Sequence, residues 1–287
     1  MSEPMILRAR LQAPVKEVRH ALSDPEAMRV WLAEHAEADA ERYVFWGRYT
    51  PEGDAPHQRL LHADERTLRF SWLLGGEETV TEITLEEEGP ETAVLSLSQS
   101  HFDFQDAGAF GQLQTFWALT IANLVDHVEG REVGPKCDYT SPEMRVVTTI
   151  DAPVQEVYDS LIDSRKVSAW FGYPIEIEPH VGGRYAMGGF DADPNPARII
   201  DLVPGRSATT DWGAGVGVTT WELEGSQGGT RLTFVQSGFD TAHPPYGAWS
   251  GWLSGLAELR RFHELADWRP IWIEDAAGQA DGAHACV

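Results

Sequence analysis

The sequence predicts an α+β protein made of two tandem copies of one domain, each a run of strands closed by a long helix. Three observations carry this. First, the chain repeats itself: Ala13-Pro14-Val15-Lys16-Glu17-Val18 returns as Ala152-Pro153-Val154-Gln155-Glu156-Val157, 139 residues on. The same spacing carries Leu22 onto Leu161, Asp24 onto Asp163 and Trp31 onto Trp170, and self-similarity at one spacing marks repeated structural units. Second, the spacing drifts only slightly. Gln99-Ser100 with Phe102-Asp103 matches Gln236-Ser237 with Phe239-Asp240 at 137 residues, and Trp117 meets Trp252 at 135. Small differences in loop length produce such a drift. Third, strand-like runs give way in both copies to one helical stripe near the end.

The elements follow in order. Residues 5–12 alternate loosely and read as a strand. Pro14 suits the first turn of a helix, where its missing N–H costs nothing, and Val15, Val18 and Leu22 then share a face. Asp24-Pro25 caps and opens a second short helix ending near Trp31. Strand-like runs come at 42–49, 58–63, 68–74, 79–86 and 92–101, separated by turns such as Gly75-Gly76 and Gly89-Pro90. From about Asp106 the period becomes helical, with Leu113, Trp117, Ile121, Leu124 and Val128 on one stripe. The second copy predicts strands at 145–150, 183–187, 198–203, 207–211, 218–224 and 231–237 and a helix over 246–268. The domains are then 1–133 and 144–270, with a linker at 134–143 holding Gly134-Pro135 and Ser141-Pro142, and a loose tail at 271–287.

Composition limits the function. Of 287 residues, 42% are apolar and 23% charged, which suits a packed core rather than disorder. The net charge of −23 argues against nucleic acid and anionic membranes as partners. No apolar run approaches the roughly 20 residues of a membrane span, and the first ten residues lack the apolar stretch of a secretory signal. The expectation is a soluble cytoplasmic protein. Two cysteines, Cys137 and Cys286, make neither a disulfide framework nor a four-cysteine zinc site. No two of the ten histidines stand four apart, and the spacing of His57 and His62 puts them on opposite strand faces. No metal and no cofactor are expected. Gly213-x-Gly215-x-Gly217 precedes no helix, so it reads as a hairpin between strands.

Several residues together resemble a known family. In the second copy they are Ala152-Pro153, Trp170, Gly182-Gly183-Arg184-Tyr185, Trp212, Gln236-Ser237-Gly238 and Gly251-Trp252-Leu253. They resemble the helix-grip superfamily of START, Bet v 1 and polyketide-cyclase-like domains. Within it they are most similar to the activator of Hsp90 ATPase homologue 1-like family. The first copy keeps Ala13-Pro14, Trp31 and Trp117, but has Glu41 where the second has Gly183, and Phe116 where it has Gly251. The resemblance implies two helix-grip domains, each a curved antiparallel sheet around the long helix, with a cavity between them. Such a cavity suits an apolar ligand held by a few polar groups.

On that frame the second copy's aromatics become candidate ligand-binding residues: Trp170, Tyr185, Trp212, Trp221, Phe234, Trp249 and Trp252, with Gln236 and Leu256. Trp249 precedes the main stripe and is expected at the cavity mouth. Each tryptophan taken singly reads equally as core packing. Candidate catalytic residues are His101 and Asp103, two apart at a strand end, with Tyr185 and Gln236. Arg42, Arg184 and Arg198 lie in strands, where one facing inward would anchor a carboxylate or phenolate. The leading expectation is binding of a small apolar or aromatic molecule, mainly in the second domain. The alternatives are an Hsp90-type chaperone partner, or a cyclase-like or resistance activity. The two copies would pack as a pseudo-dimer in a monomer, or the chain would form a homodimer.

Overall fold

The computed structural model describes residues 4–101, 109–226 and 228–273. It forms two compact units, the first from residues 4–140 with 271–273, the second from residues 141–270. Each is an antiparallel sheet packed on one long helix.

In the first unit, strand β1 (Met5–Leu11) leads to helices α1 (Val15–Ser23) and α2 (Pro25–Trp31). A short hairpin follows, β2 (His35–Ala38) with β3 (Tyr43–Trp46), then β4 (Gln58–Ala63), β5 (Thr67–Leu74), β6 (Glu77–Gly89), β7 (Thr92–Gln99) and helix α3 (Ala109–Val128). The main sheet runs β1-β7-β6-β5-β4, and β2-β3 stands as its own two-stranded sheet. The Gln58 side chain links the two, its Oε1 accepting from the Phe45 N–H at 3.1 Å. Alternate residues face inward: Leu68, Phe70, Trp72 and Leu74 on β5 are all buried, as the two-residue period of a half-buried strand requires.

The second unit repeats the order: β8 (Met144–Ile150), α4 (Val154–Ile162), α5 (Ser164–Phe171), β9 (Ile175–Ile177), β10 (Arg184–Met187), β11 (Ala197–Val203), β12 (Ser207–Asp211), β13 (Val218–Ser226), β14 (Gly229–Ser237) and α6 (Tyr246–Glu264). Here the sheet is one piece of seven strands, β8-β14-β13-β12-β11-β10-β9. The join lies at β10 and β11, where Arg184 faces Arg198 and Tyr185 faces Ala197.

The paired short helices are locked in the same way twice. The Trp31 indole donates to the Ala21 carbonyl at 3.0 Å, and the Trp170 indole to the Ser160 carbonyl at 2.8 Å. Asp163 caps α5 by accepting from the N–H groups of Arg165 and Lys166, while Asp24 accepts only from Glu26. Asp163→Ala is therefore expected to cost the second domain about 1 kcal/mol, the usual worth of an N-cap. Urea denaturation followed by helix signal checks it, and Asp24→Ala should cost less. Volume is also traded between copies. A Cβ on Gly255 would come within 2.8 Å of Phe171, whereas the first domain has Thr120 and Leu32 at these positions.

Four expectations are corrected. The short strands β2 and β9 were absent from the sequence reading, because runs of four and three residues are too brief to show alternation. The linker is shorter than 134–143. Cys137 is buried in the first unit, Lys136 Nζ donates to the Arg29 carbonyl at 2.7 Å, and the Tyr139 N–H to the Arg48 carbonyl at 2.8 Å. Helix α6 ends at Glu264, since Leu265 has turned to extended backbone. Residue 271 does not begin a loose tail: Ile271 is 2% exposed, and Trp272 bridges to Ala9 of β1. The Arg10 N–H donates to the Ile271 carbonyl at 2.7 Å and the Ile273 N–H to the Arg8 carbonyl at 3.0 Å. Apolar side chains and a bare strand edge hold this segment in place. Among the described residues, no helix is long and apolar enough to cross a membrane.

Candidate functional site

The space between sheet and α6 in the second domain is built from aromatic rings. Trp252, on the inner face of α6, sits 5.3 Å from Trp212, 5.9 Å from Trp221, 5.8 Å from Phe234 and 5.6 Å from Phe171. Trp221 stacks on Phe234 at 4.0 Å, and Phe234 on Trp249 at 5.3 Å with the rings nearly parallel. Tyr185 meets Trp212 edge-on at 5.0 Å. These rings leave a small cavity lined by Tyr185, Ile199, Thr210, Trp212, Thr219 and Trp252 among others, with no charged side chain. It has room for about one water molecule.

Trp212 is the half-buried wall of this cavity, while the other tryptophans around it are buried. It starts the hairpin joining β12 to β13. Its N–H donates to the Gly217 carbonyl at 2.9 Å, and its indole to Thr219 Oγ1 at 2.8 Å. Gly217 has φ +86, and a Cβ there would lie 2.2 Å from the Ser237 carbonyl, so only glycine fits. Gln236 ties the same hairpin down, its Nε2 donating to the Val216 carbonyl at 2.8 Å.

The first domain has a ring where the second has a glycine in the long helix. Phe116 of α3 packs 5.6 Å from Trp72 and 4.9 Å from Trp117. Its counterpart in α6 is Gly251, which has no side chain to place there. Trp72 is accordingly fully buried, whereas Trp212 is not.

The predicted ligand residues thus fall into two groups. Tyr185, Trp212, Trp221 and Trp252 line the cavity. Phe234, Gln236, Trp249 and Leu256 are buried around it, with Gln236 beside the cavity residue Thr219 in the β13–β14 register. Trp249 does not stand at a mouth: it is buried flat against Phe234, and the half-exposed ring is Trp212. Trp170 is held by its bond to Ser160, the same packing bond that Trp31 makes. Sequence reasoning missed Thr219, Thr210 and Gly251. The glycine was visible as a difference between copies, and Thr219 as the repeat of Thr81 beside the retained glutamine.

The described catalytic candidates fall in both units. Asp103 lies outside the described residues. His101 belongs to the first unit, is exposed, and shares a 2.9 Å hydrogen bond with the Ser100 hydroxyl. Tyr185 and Gln236 belong to the second, where burial pushes the Tyr185 phenol well above its usual pKa and keeps it protonated. None of the three arginines is in the cavity lining, and Arg42 precedes β3 instead of lying in a strand. Arg42 meets Glu37 at 2.6 Å, and Arg198 donates to the Gly182 carbonyl. Arg184 bonds Glu178 at 2.7 Å, holding that carboxyl down at about 2, and lies over the Phe190 ring.

Residues 151–264 match the family model described as Activator of Hsp90 ATPase homolog 1-like protein. The match spans most of the second domain. No curated protein matches the chain. Among solved structures, CalU16 of Micromonospora echinospora is 25% identical over 46% of this chain and 77% of its own, with a TM-score of 0.37. The di-domain ARO/CYC protein BexL from the BE-7585A biosynthetic pathway is 16% identical, with 94% of this chain and all of that one covered and a TM-score of 0.35. DynU16, from the dynemicin biosynthetic locus, is 18% identical over 91% of this chain and 98% of its own, with a TM-score of 0.37. The aromatic cavity lies within the span matched by the Hsp90-activator-like family.

Proposed function

We propose that the second domain binds a small, largely aromatic molecule between its sheet and α6, behind Trp212. The observation that carries this is Gly251. Where the first domain packs the Phe116 ring against Trp72 and Trp117, the second has Gly251, with no side chain, next to Trp252 in α6. A ring entering there replaces the missing phenyl and packs on aromatic faces in edge-on or offset geometry. Room for about one water is too little for such a ligand, so entry requires Trp212 to swing outward with its glycine hairpin. The half-exposed position of Trp212 and the glycines at 213 and 217 make that the least costly wall to move.

Native mass spectrometry of freshly purified protein tests the reading against the same sample denatured. An added mass that leaves on unfolding is expected. A bare chain that also shows no tryptophan fluorescence change with naphthol would sink the reading.

A further inference from the structure

Resting on that ligand site, we propose that its ligand is a neutral aromatic molecule with a hydroxyl group, docked by that hydroxyl between Gln236 and Trp252. Both side chains are deeply buried, each residue being 2% exposed. Each leaves one polar atom without a partner: the acceptor Gln236 Oε1 and the donor Trp252 Nε1. Buried polar atoms are nearly always paired, so two of opposite kind around one aromatic cluster point to a missing group. The glutamine amide cannot turn to hide its oxygen. Its Nε2 is fixed on the Val216 carbonyl at 2.8 Å, and a turned amide would set two oxygens face to face.

The first domain shows the same residues satisfied. Gln99 Oε1 accepts from Thr81 Oγ1 at 2.7 Å and from the Trp117 indole at 3.1 Å. Their counterparts in the second domain are Gln236, Thr219 and Trp252. There Thr219 takes the Trp212 indole instead, and the bond from tryptophan to glutamine is not made. The repeat is wired differently at this junction: the first domain leaves the Trp72 indole without a partner, the second the Trp252 indole together with the Gln236 oxygen.

A hydroxyl answers both atoms, because one oxygen donates and accepts. Its hydrogen goes to Gln236 Oε1, and its lone pair takes the Trp252 N–H. A ketone or ether satisfies only Trp252. A carboxylate meets the Gln236 oxygen and finds no cation in the cavity lining. The rings of Tyr185, Trp212 and Trp221 favour a flat aromatic frame over a flexible chain.

The test titrates the full-length protein with naphthol, methoxynaphthalene and naphthalene, following tryptophan fluorescence. Naphthol is expected to bind on the order of tenfold tighter than either of the others, the worth of one well-made buried hydrogen bond pair. Gln236→Leu and, separately, Trp252→Phe should bring naphthol down to the naphthalene level. Equal binding of naphthol and naphthalene to the wild type overturns the hydroxyl assignment and leaves the aromatic site standing. Failure of all these probes to bind overturns the site itself. The ranking on unaltered protein decides even if a variant does not fold.

Discussion

Trp117→Ala is expected to destabilise the first domain by about 3–5 kcal/mol, the range for removing a buried aromatic from a packed core. The ring touches Phe45 and Phe70 at 6.4 Å, Trp72 at 6.0 Å and Phe116 at 4.9 Å, so little can collapse into the void. The change also removes the indole bond to Gln99 Oε1. Trp252→Ala loses a comparable set of ring contacts but no hydrogen bond, and should cost roughly 1 kcal/mol less. The milder pair sharpens the contrast: Trp117→Phe should be clearly destabilising and Trp252→Phe nearly neutral. Hydrogen exchange reads the two domains separately, through the amides of β5 to β7 and of β12 to β14. Equal loss of protection in the two phenylalanine variants would contradict the different wiring of the repeats.

Gly251→Phe should weaken naphthol binding by up to roughly a hundredfold while leaving the protein folded. The new ring would occupy the place that Phe116 holds in the first domain, so ligand and side chain compete for one volume. Pushing a packed ring aside costs about 1–3 kcal/mol, which corresponds to a loss of affinity of up to roughly a hundredfold. Stability should move little. Crowding against Trp212 is offset by replacing a helical glycine, worth about 1 kcal/mol in a helix interior. The reverse change, Phe116→Gly, should open the first domain at a cost of several kcal/mol without creating the same site. Its glutamine and tryptophan already bond each other. Undiminished naphthol binding by folded Gly251→Phe would place the ligand elsewhere.

The repeat made the fold legible, because it needed only matched residues and not their contacts. Ala13-Pro14 and Ala152-Pro153 mark the helix starts, and Trp31 and Trp170 the helix ends that the structure ties with one shared bond. That sharing also shows why Trp170 reads as packing: a residue doing the same thing in both copies serves the scaffold. The site was legible as a set of residue types and not as a geometry. Sequence grouped Trp212, Trp221 and Trp252, but could not show that Phe234 and Trp249 stack on each other behind them. Nor could it show which glutamine oxygen lacks a partner, since Gln99 and Gln236 are identical as letters and differ in which indole reaches the neighbouring threonine or the amide and in where the amide nitrogen donates. Strands β2 and β9 were lost for want of length, and the segment at 271–273 because pairing to β1 is set by an edge more than 250 residues earlier in the chain.

That pairing has a consequence for synthesis. The first domain's sheet ends in β1, and the segment that covers its edge is translated only after the whole second domain. At ribosomal speed the intervening stretch takes on the order of ten seconds to make. Throughout that interval β1 of a nascent chain offers an uncovered row of N–H and C=O groups. Neighbouring polysome chains present the same row, so crowded translation should favour edge-to-edge pairing between them, and slow elongation through the second half should reduce the yield of folded protein.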